Sequence, residues 1–239
     1  MGERAPRGPG RAHSGRIPLA ALFVTALVVA QLTATKLVAL SLPVSLPAAG
    51  DSIVFPAAAG AYALTFFASD CYAELYGRRA ATWLVNVAFA MNAVVLALVG
   101  VAVWLPALDP AFAATFREVL LASTNIVLGS LAAYVVSQNW DVLAFHRLRE
   151  YTGGAALWLR NLGSTATSQA IDTVIFILVA FVVAPAVLGV GTAYGTDTVI
   201  SLVVGQYVVK LGVAVADTPV VYAVVRGLRR AGRAPAAPA

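Results

Sequence analysis

The chain has 239 residues, of which 60% are hydrophobic and only 11% charged, with a mean hydropathy of +0.85. Soluble domains carry about 25% charged residues, so this composition excludes an ordinary soluble enzyme and points to a polytopic membrane protein. The net charge of +5 and a pI near 9.7 arise from short basic clusters between apolar segments, the pattern of membrane loops and not of a nucleic-acid surface.

In chain order, residues 1–17 hold Arg4, Arg7, Arg11 and Arg16 among glycines and prolines and read as a disordered basic cytoplasmic tail. The apolar run from Pro18 to Leu40 exceeds the roughly 7–15 residues of a signal-peptide core, so a retained helix is expected. Six spans are predicted, at about 18–40, 53–76, 80–105, 117–145, 157–183 and 197–226, each long enough for the hydrocarbon core. Pro43 and Pro47, Gly77, Pro106 and Pro110, Gly153 and Gly154, then Pro185 with Gly189, Gly191 and Gly195 mark the breaks. Pro219 should kink the last span. The expected organisation is a transmembrane domain over 18–228 and a cytoplasmic tail over 229–239.

Charge tests the count independently. Twelve of the sixteen basic residues fall in the first tail, after the second span (Arg78, Arg79), after the fourth (Arg147, Arg149) and after the sixth (Arg226, Arg229, Arg230, Arg233), while the three other connections hold only Arg117. Six helices with both termini in the cytoplasm explain that alternation by the positive-inside rule. Trp83, Trp104, Trp140 and Trp158 lie near predicted helix ends, where indole prefers the interface. The fold class expected is therefore all-α, a polytopic membrane protein of six transmembrane helices in the plasma (inner) membrane.

The remaining charges mark the interior. Lys36, Arg160 and Lys210 face five acids, Asp70, Glu74, Asp141, Asp172 and Asp217; Lys36 and Arg160 are near enough to helix ends to snorkel, Lys210 is not. In the fifth span, Asn161, Thr165, Ser168, Asp172 and Phe176 are spaced to share one helical face. Ser123, Ser130, Tyr134, Ser137 and Asp141 form a similar stripe in the fourth. An ionisable residue inside a span is costly unless it faces a cavity or bundle interior, so Asp172 reads as functional; the bland alternative, polar glue between helices, applies more readily to Lys210, Asp217 and Arg160. A short pattern also repeats: Ser137-Gln138-Asn139-Trp140-Asp141 and Ser168-Gln169-Ala170-Ile171-Asp172, each followed four residues on by Phe. Internally repeated transporters place their sites at the repeat interface. The surplus of acids suits either protonation, permitting proton coupling, or a ligand rich in N–H donors. Phe66, Tyr134 or Phe176 could stack on such a ligand.

Three stretches, FPAAAGAYALTFFASDCYAELYG, SQNWDVLAFHRLRE and WLRNLGSTATSQAIDTVIF, together resemble the queuosine precursor transporters, with looser likeness from Thr33 to Lys36 and around Lys210. The resemblance implies uptake of 7-cyano- or 7-aminomethyl-7-deazaguanine, with a deazapurine base and the lipid bilayer as partners and homo-oligomerisation left open. It implies substrate-binding roles for Asp70, Glu74, Gln138, Asp141, Arg160, Asn161, Gln169 and Asp172; Lys210 joins them as the charge least able to reach the interface. Two rival readings are a substrate-binding subunit of an ATPase-driven vitamin importer and an intramembrane enzyme using Asp141 and Asp172 as a carboxylate pair. No P-loop motif is present, so this chain does not itself hydrolyse ATP through one. Cys71 is the single cysteine and His13 and His146 stand apart, so no metal or other cofactor is expected.

Overall fold

The computed structural model describes residues 15–46, 50–152 and 157–230. Its elements are α1 (Arg16–Thr33), a hairpin of β1 (Leu37–Leu46) and β2 (Gly50–Pro56), α2 (Ala59–Tyr76), α3 (Arg78–Trp104), α4 (Pro110–Tyr151), α5 (Leu157–Leu178), a π-helical turn (Val179–Val183), α6 (Ala184–Leu188) and α7 (Thr196–Arg230). Among the described residues five helical stretches are long and apolar enough to cross a membrane: Arg16–Thr33, Arg78–Trp104, Pro110–Trp140, Ala166–Leu188 and Thr196–Arg230. α2 falls short of them, because Ser69, Asp70 and Glu74 dilute its apolar side chains.

The helical architecture agrees with the sequence reading, and the hairpin departs from it. The first span ends at Thr33 and not near Leu40, so Lys36 sits in the turn ahead of β1 and not at a helix end. Thr33, Thr35 and Val38 are β-branched and disfavour continued helix, and Pro43 forbids it further on. The antiparallel register pairs Leu37 with Pro56 and Ser41 with Ser52, then shifts between Ser41 and Leu46. Pro43 lies in that irregular stretch, where its missing N–H removes a ladder bond.

Local chemistry sets the helix boundaries. Asp109 caps α4, its carboxylate accepting from the backbone N–H groups of Ala111 (2.9 Å) and Phe112 (3.2 Å), with Pro110 in the first turn. α4 therefore begins several residues before the predicted 117. Gly77, at φ 89°, separates α2 from α3 within one residue and donates to the carbonyl of Ala73, a conformation that a side chain would strain.

Pro185 marks a break in the sequence but does not end the fifth span, for the helix runs on to Leu188. A proline in a helix strands the carbonyl four residues before it, here that of Phe181. The π turn absorbs the misfit, and the Phe181 carbonyl accepts the N–H of Tyr194 at 3.0 Å. α7 likewise runs unbroken through Pro219.

The chain divides into two compact units. The described residues of the first are 15–30, 60–94 and 210–230. Its core joins Leu19, Cys71, Leu75 and Val225 in one cluster, and Phe23, Leu27, Ala68 and Ala88 in another. The described residues of the second are 31–46, 50–59, 95–152 and 157–209, and it is built on α4 packed antiparallel to α5. Gly129 makes their crossing close: a Cβ there would stand 2.8 Å from that of Ala180 and 3.0 Å from the Phe176 carbonyl. Gly205 of α7 plays the same part against the hairpin, since a Cβ there would run into the Val54 carbonyl.

Outward faces are apolar. Along α3, Trp83, Val87, Met91, Val94, Leu98 and Val101 are all exposed at spacings of three and four, one helical stripe. Such a face suits lipid.

Candidate functional site

In the second unit the described residues of the polar stripes of α4 and α5 turn inward as their spacing predicts. Ser123, Ser130 and Ser137 are buried on α4, and Ser168 and Phe176 on α5, with Asp172 half-buried between them. Ser137 Oγ donates to Asp172 Oδ1 at 3.3 Å, and Trp140 Nε1 donates to Thr167 Oγ1 at 3.1 Å. The first of these contacts joins the first position of one motif copy to the last position of the other, and the second joins Trp140 to the residue just before the other copy. Tyr207 of α7 reaches the same level, its hydroxyl donating to the Ala166 carbonyl at 3.4 Å. Gln169 is half-buried on α5 and Gln138 is exposed on α4. The side chains of Asp141, Arg160 and Asn161 lie outside the described residues.

The other predicted residues belong to the first unit. Asp70 is exposed on α2, and Glu74 near the end of that helix pairs with Arg229 of α7 at 3.1 Å. The same guanidinium also donates to the Glu74 carbonyl at 3.0 Å. Lys210 is half-buried on α7. Asp217 lines an apolar groove of about 310 Å³ with Phe67 and Val213. The structure thus assigns Asp70, Glu74 and Lys210 to one compact unit, and Gln138, Gln169 and Asp172 to the other.

Three buried amides of the second unit carry no motif signal and escape a reading by charge. Gln31 is fully buried; its Oε1 accepts from Ser130 at 3.4 Å while its Nε2 has no hydrogen-bond partner. Asn125 is 2% exposed; its Nδ2 donates to the Val190 carbonyl at 2.6 Å and its Oδ1 has no partner. Gln206 Oε1 is in the same state. An unsatisfied buried polar atom costs about 1–3 kcal/mol, and such atoms gather where a ligand or water completes them. The one signal available in sequence is an amide in a long apolar run, which is equally a sign of helix-to-helix bonding.

A cavity of about 300 Å³ lies in this unit. Its wall comes from the turn before β1 (Thr35, Lys36), the first half of α4 (Glu118 to Ile126), the π turn (Ala180, Phe181) and the loop before α7 (Gly191 to Tyr194). Glu118, Ala122 and Asn125 recur at helical spacing and so share a face. Phe181 and Tyr194 meet edge to face, their ring centroids 6.0 Å apart. Among the described residues, none of the site residues expected from the sequence lines it.

The family described as "Putative vitamin uptake transporter" matches residues 56–224. A curated relative from Bacillus subtilis (strain 168), named "Probable queuosine precursor transporter", is 33% identical over 171 residues, covering 68% of each chain. No solved structure matches. With apolar helices of spanning length and a family match over most of its length, this chain belongs to the vitamin uptake transporter family, which takes in the queuosine precursor transporters, and is a multi-pass membrane transporter.

Proposed function

We propose that this chain imports a queuosine precursor, 7-cyano- or 7-aminomethyl-7-deazaguanine, across the inner membrane by alternating access. The observation that carries the reading is the hydrogen bond from Ser137 to Asp172, because it puts a carboxylate at the α4–α5 interface of a chain related to a queuosine precursor transporter. α2 serves as the sixth span, and both termini are cytoplasmic, as the distribution of basic residues favours.

The two copies of Ser-Gln-x-x-Asp run antiparallel in α4 and α5. The register that sets Ser137 opposite Asp172 also sets residue 141 opposite residue 168, so each serine position faces the other copy's aspartate position. Such a symmetric polar layer can exchange partners as the helices shift, with Asp172 taking N–H donors of the base. Protonation of a carboxylate in that layer would couple transport to a proton gradient. Asp70, Glu74, Gln138, Asp141, Arg160, Asn161, Gln169 and Lys210 are the further candidates for contact with the base along its path.

The test is uptake of labelled deazaguanine base into cells unable to synthesise it. Wild-type chain restores uptake; Asp172→Asn, present in the membrane at equal level, abolishes it. Normal uptake by that variant removes Asp172 from the mechanism, and co-purification of an ATPase would recast the chain as the binding subunit of a larger importer.

A further inference from the structure

The cavity of the second unit has features of a ligand site that the layer at Asp172 does not supply. Its volume of about 300 Å³ lies at the lower end of the range for small-molecule pockets, so it suits a single small ring system. Asn125, one of its lining residues, is oriented: donation from Nδ2 to the Val190 carbonyl fixes which end of the amide is which. The opposite end, Oδ1, is left buried as an acceptor without a partner. Gly191 allows this arrangement, for at φ 77° a Cβ would come within 2.9 Å of Asn125 Nδ2.

Glu118 and Lys36 line the same cavity and are exposed, so they stand at its mouth. A carboxylate accepts a pair of parallel N–H bonds, an ammonium donates to a ring carbonyl or nitrogen, and the half-buried Tyr194 ring, supported edge to face by the buried Phe181, offers flat apolar surface.

We propose that this cavity is the capture pocket of the transporter for a planar nitrogen heterocycle with an N–H donor edge. Glu118 reads the donor edge, Lys36 reads an acceptor, and the Tyr194 ring, backed by the buried Phe181, packs on the heterocycle, while Asn125 holds the wall in place through the Val190 carbonyl. The inference rests on the proposed import function, which it extends to particular residues. It also assigns a side. Every segment around the cavity belongs to the first, third or fifth connection between spans, or to the halves of the helices that adjoin them. With both termini cytoplasmic, those connections lie outside the cell, where an importer meets its substrate. Asn125 and Ser137 are on the same helix, roughly 18 Å apart along its axis at about 1.5 Å per residue. The pocket therefore stands in front of the Asp172 layer as a first stop.

Binding of 7-cyano-7-deazaguanine, 7-aminomethyl-7-deazaguanine and guanine to the purified full chain in detergent tests this, beside uptake by cells. Wild-type chain binds at least one base, and Glu118→Gln and Asn125→Leu weaken that binding about tenfold or more, with elution profile and melting temperature like the wild type. Should Asn125→Leu fail to fold, Thr192→Cys provides a second measurement: bound base slows its labelling by a membrane-impermeant maleimide added outside the cell. Unchanged affinity in Glu118→Gln together with unprotected Cys labelling overturns the pocket while leaving import intact. Absence of uptake and of binding by the wild-type chain overturns the import function, and the pocket falls with it.

Discussion

Asp172 and Glu74 are both acids in long helices, and the structure gives them different company. Asp172 is half-buried and accepts from Ser137, whereas the Glu74 side chain is 53% exposed and pairs with Arg229 at the end of its helix. Exposed pairs contribute about 0–1 kcal/mol, so Arg229→Ala should leave the melting temperature of the purified protein within a few degrees of wild type, as differential scanning fluorimetry would show. Ser137→Ala removes one neutral donor from a carboxylate that has other interactions. A loss on the order of 1 kcal/mol, about a fivefold fall in uptake rate at unchanged expression, is expected. The inward face of Ser168, Asp172 and Phe176 was legible because helical spacing alone puts them together. Asn125 and Gln31 were not, because a single amide acquires meaning only from what surrounds it after folding.

At the scale of elements, two glycines hold the second unit together. At Gly129 a side chain would meet Ala180 and the Phe176 carbonyl, and backbone cannot yield as a flexible side chain can. Gly129→Val should therefore part α4 from α5, costing about 1–3 kcal/mol and stretching the Ser137–Asp172 bond; thermal unfolding and uptake would fall together. Gly205→Ala should free the hairpin from α7 at a similar cost, seen as faster proteolysis between residues 37 and 56. The hairpin itself was hidden from the sequence reading. Leu37–Leu46 is an apolar run interrupted by proline, and hydropathy cannot separate a strand from the end of a span. The continuation past Pro185 was hidden for a related reason: it needs an N–H from Tyr194, a partner brought up by folding.

For the molecule as a whole, the basic clusters predict which connections face the cytoplasm, and this is open to direct measurement. Cys71 is fully buried, so the wild-type chain provides a quiet background for cysteine labelling. Leu108→Cys, fully exposed between α3 and α4, should react with an impermeant maleimide applied to intact cells. Arg79→Cys, at the start of α3, should react only after the membrane is opened. Labelling of both from outside would refute the proposed topology and, with it, the outward placement of the capture pocket.

Composition, hydropathy and the spacing of basic residues determined that this is a helical membrane protein, and the motifs on its second, fourth and fifth helices were enough to identify the family. Those properties are sums and periodicities along the chain, so they survive without knowledge of neighbours. Tertiary structure alone decided that α1 gives way to a hairpin, that a π turn carries a helix through Pro185, and that Asn125 ends with a satisfied nitrogen and an unsatisfied oxygen in the wall of a cavity. Each of these depends on a backbone or side-chain partner distant in sequence, and the cost of a missing hydrogen bond is set only where water has been excluded.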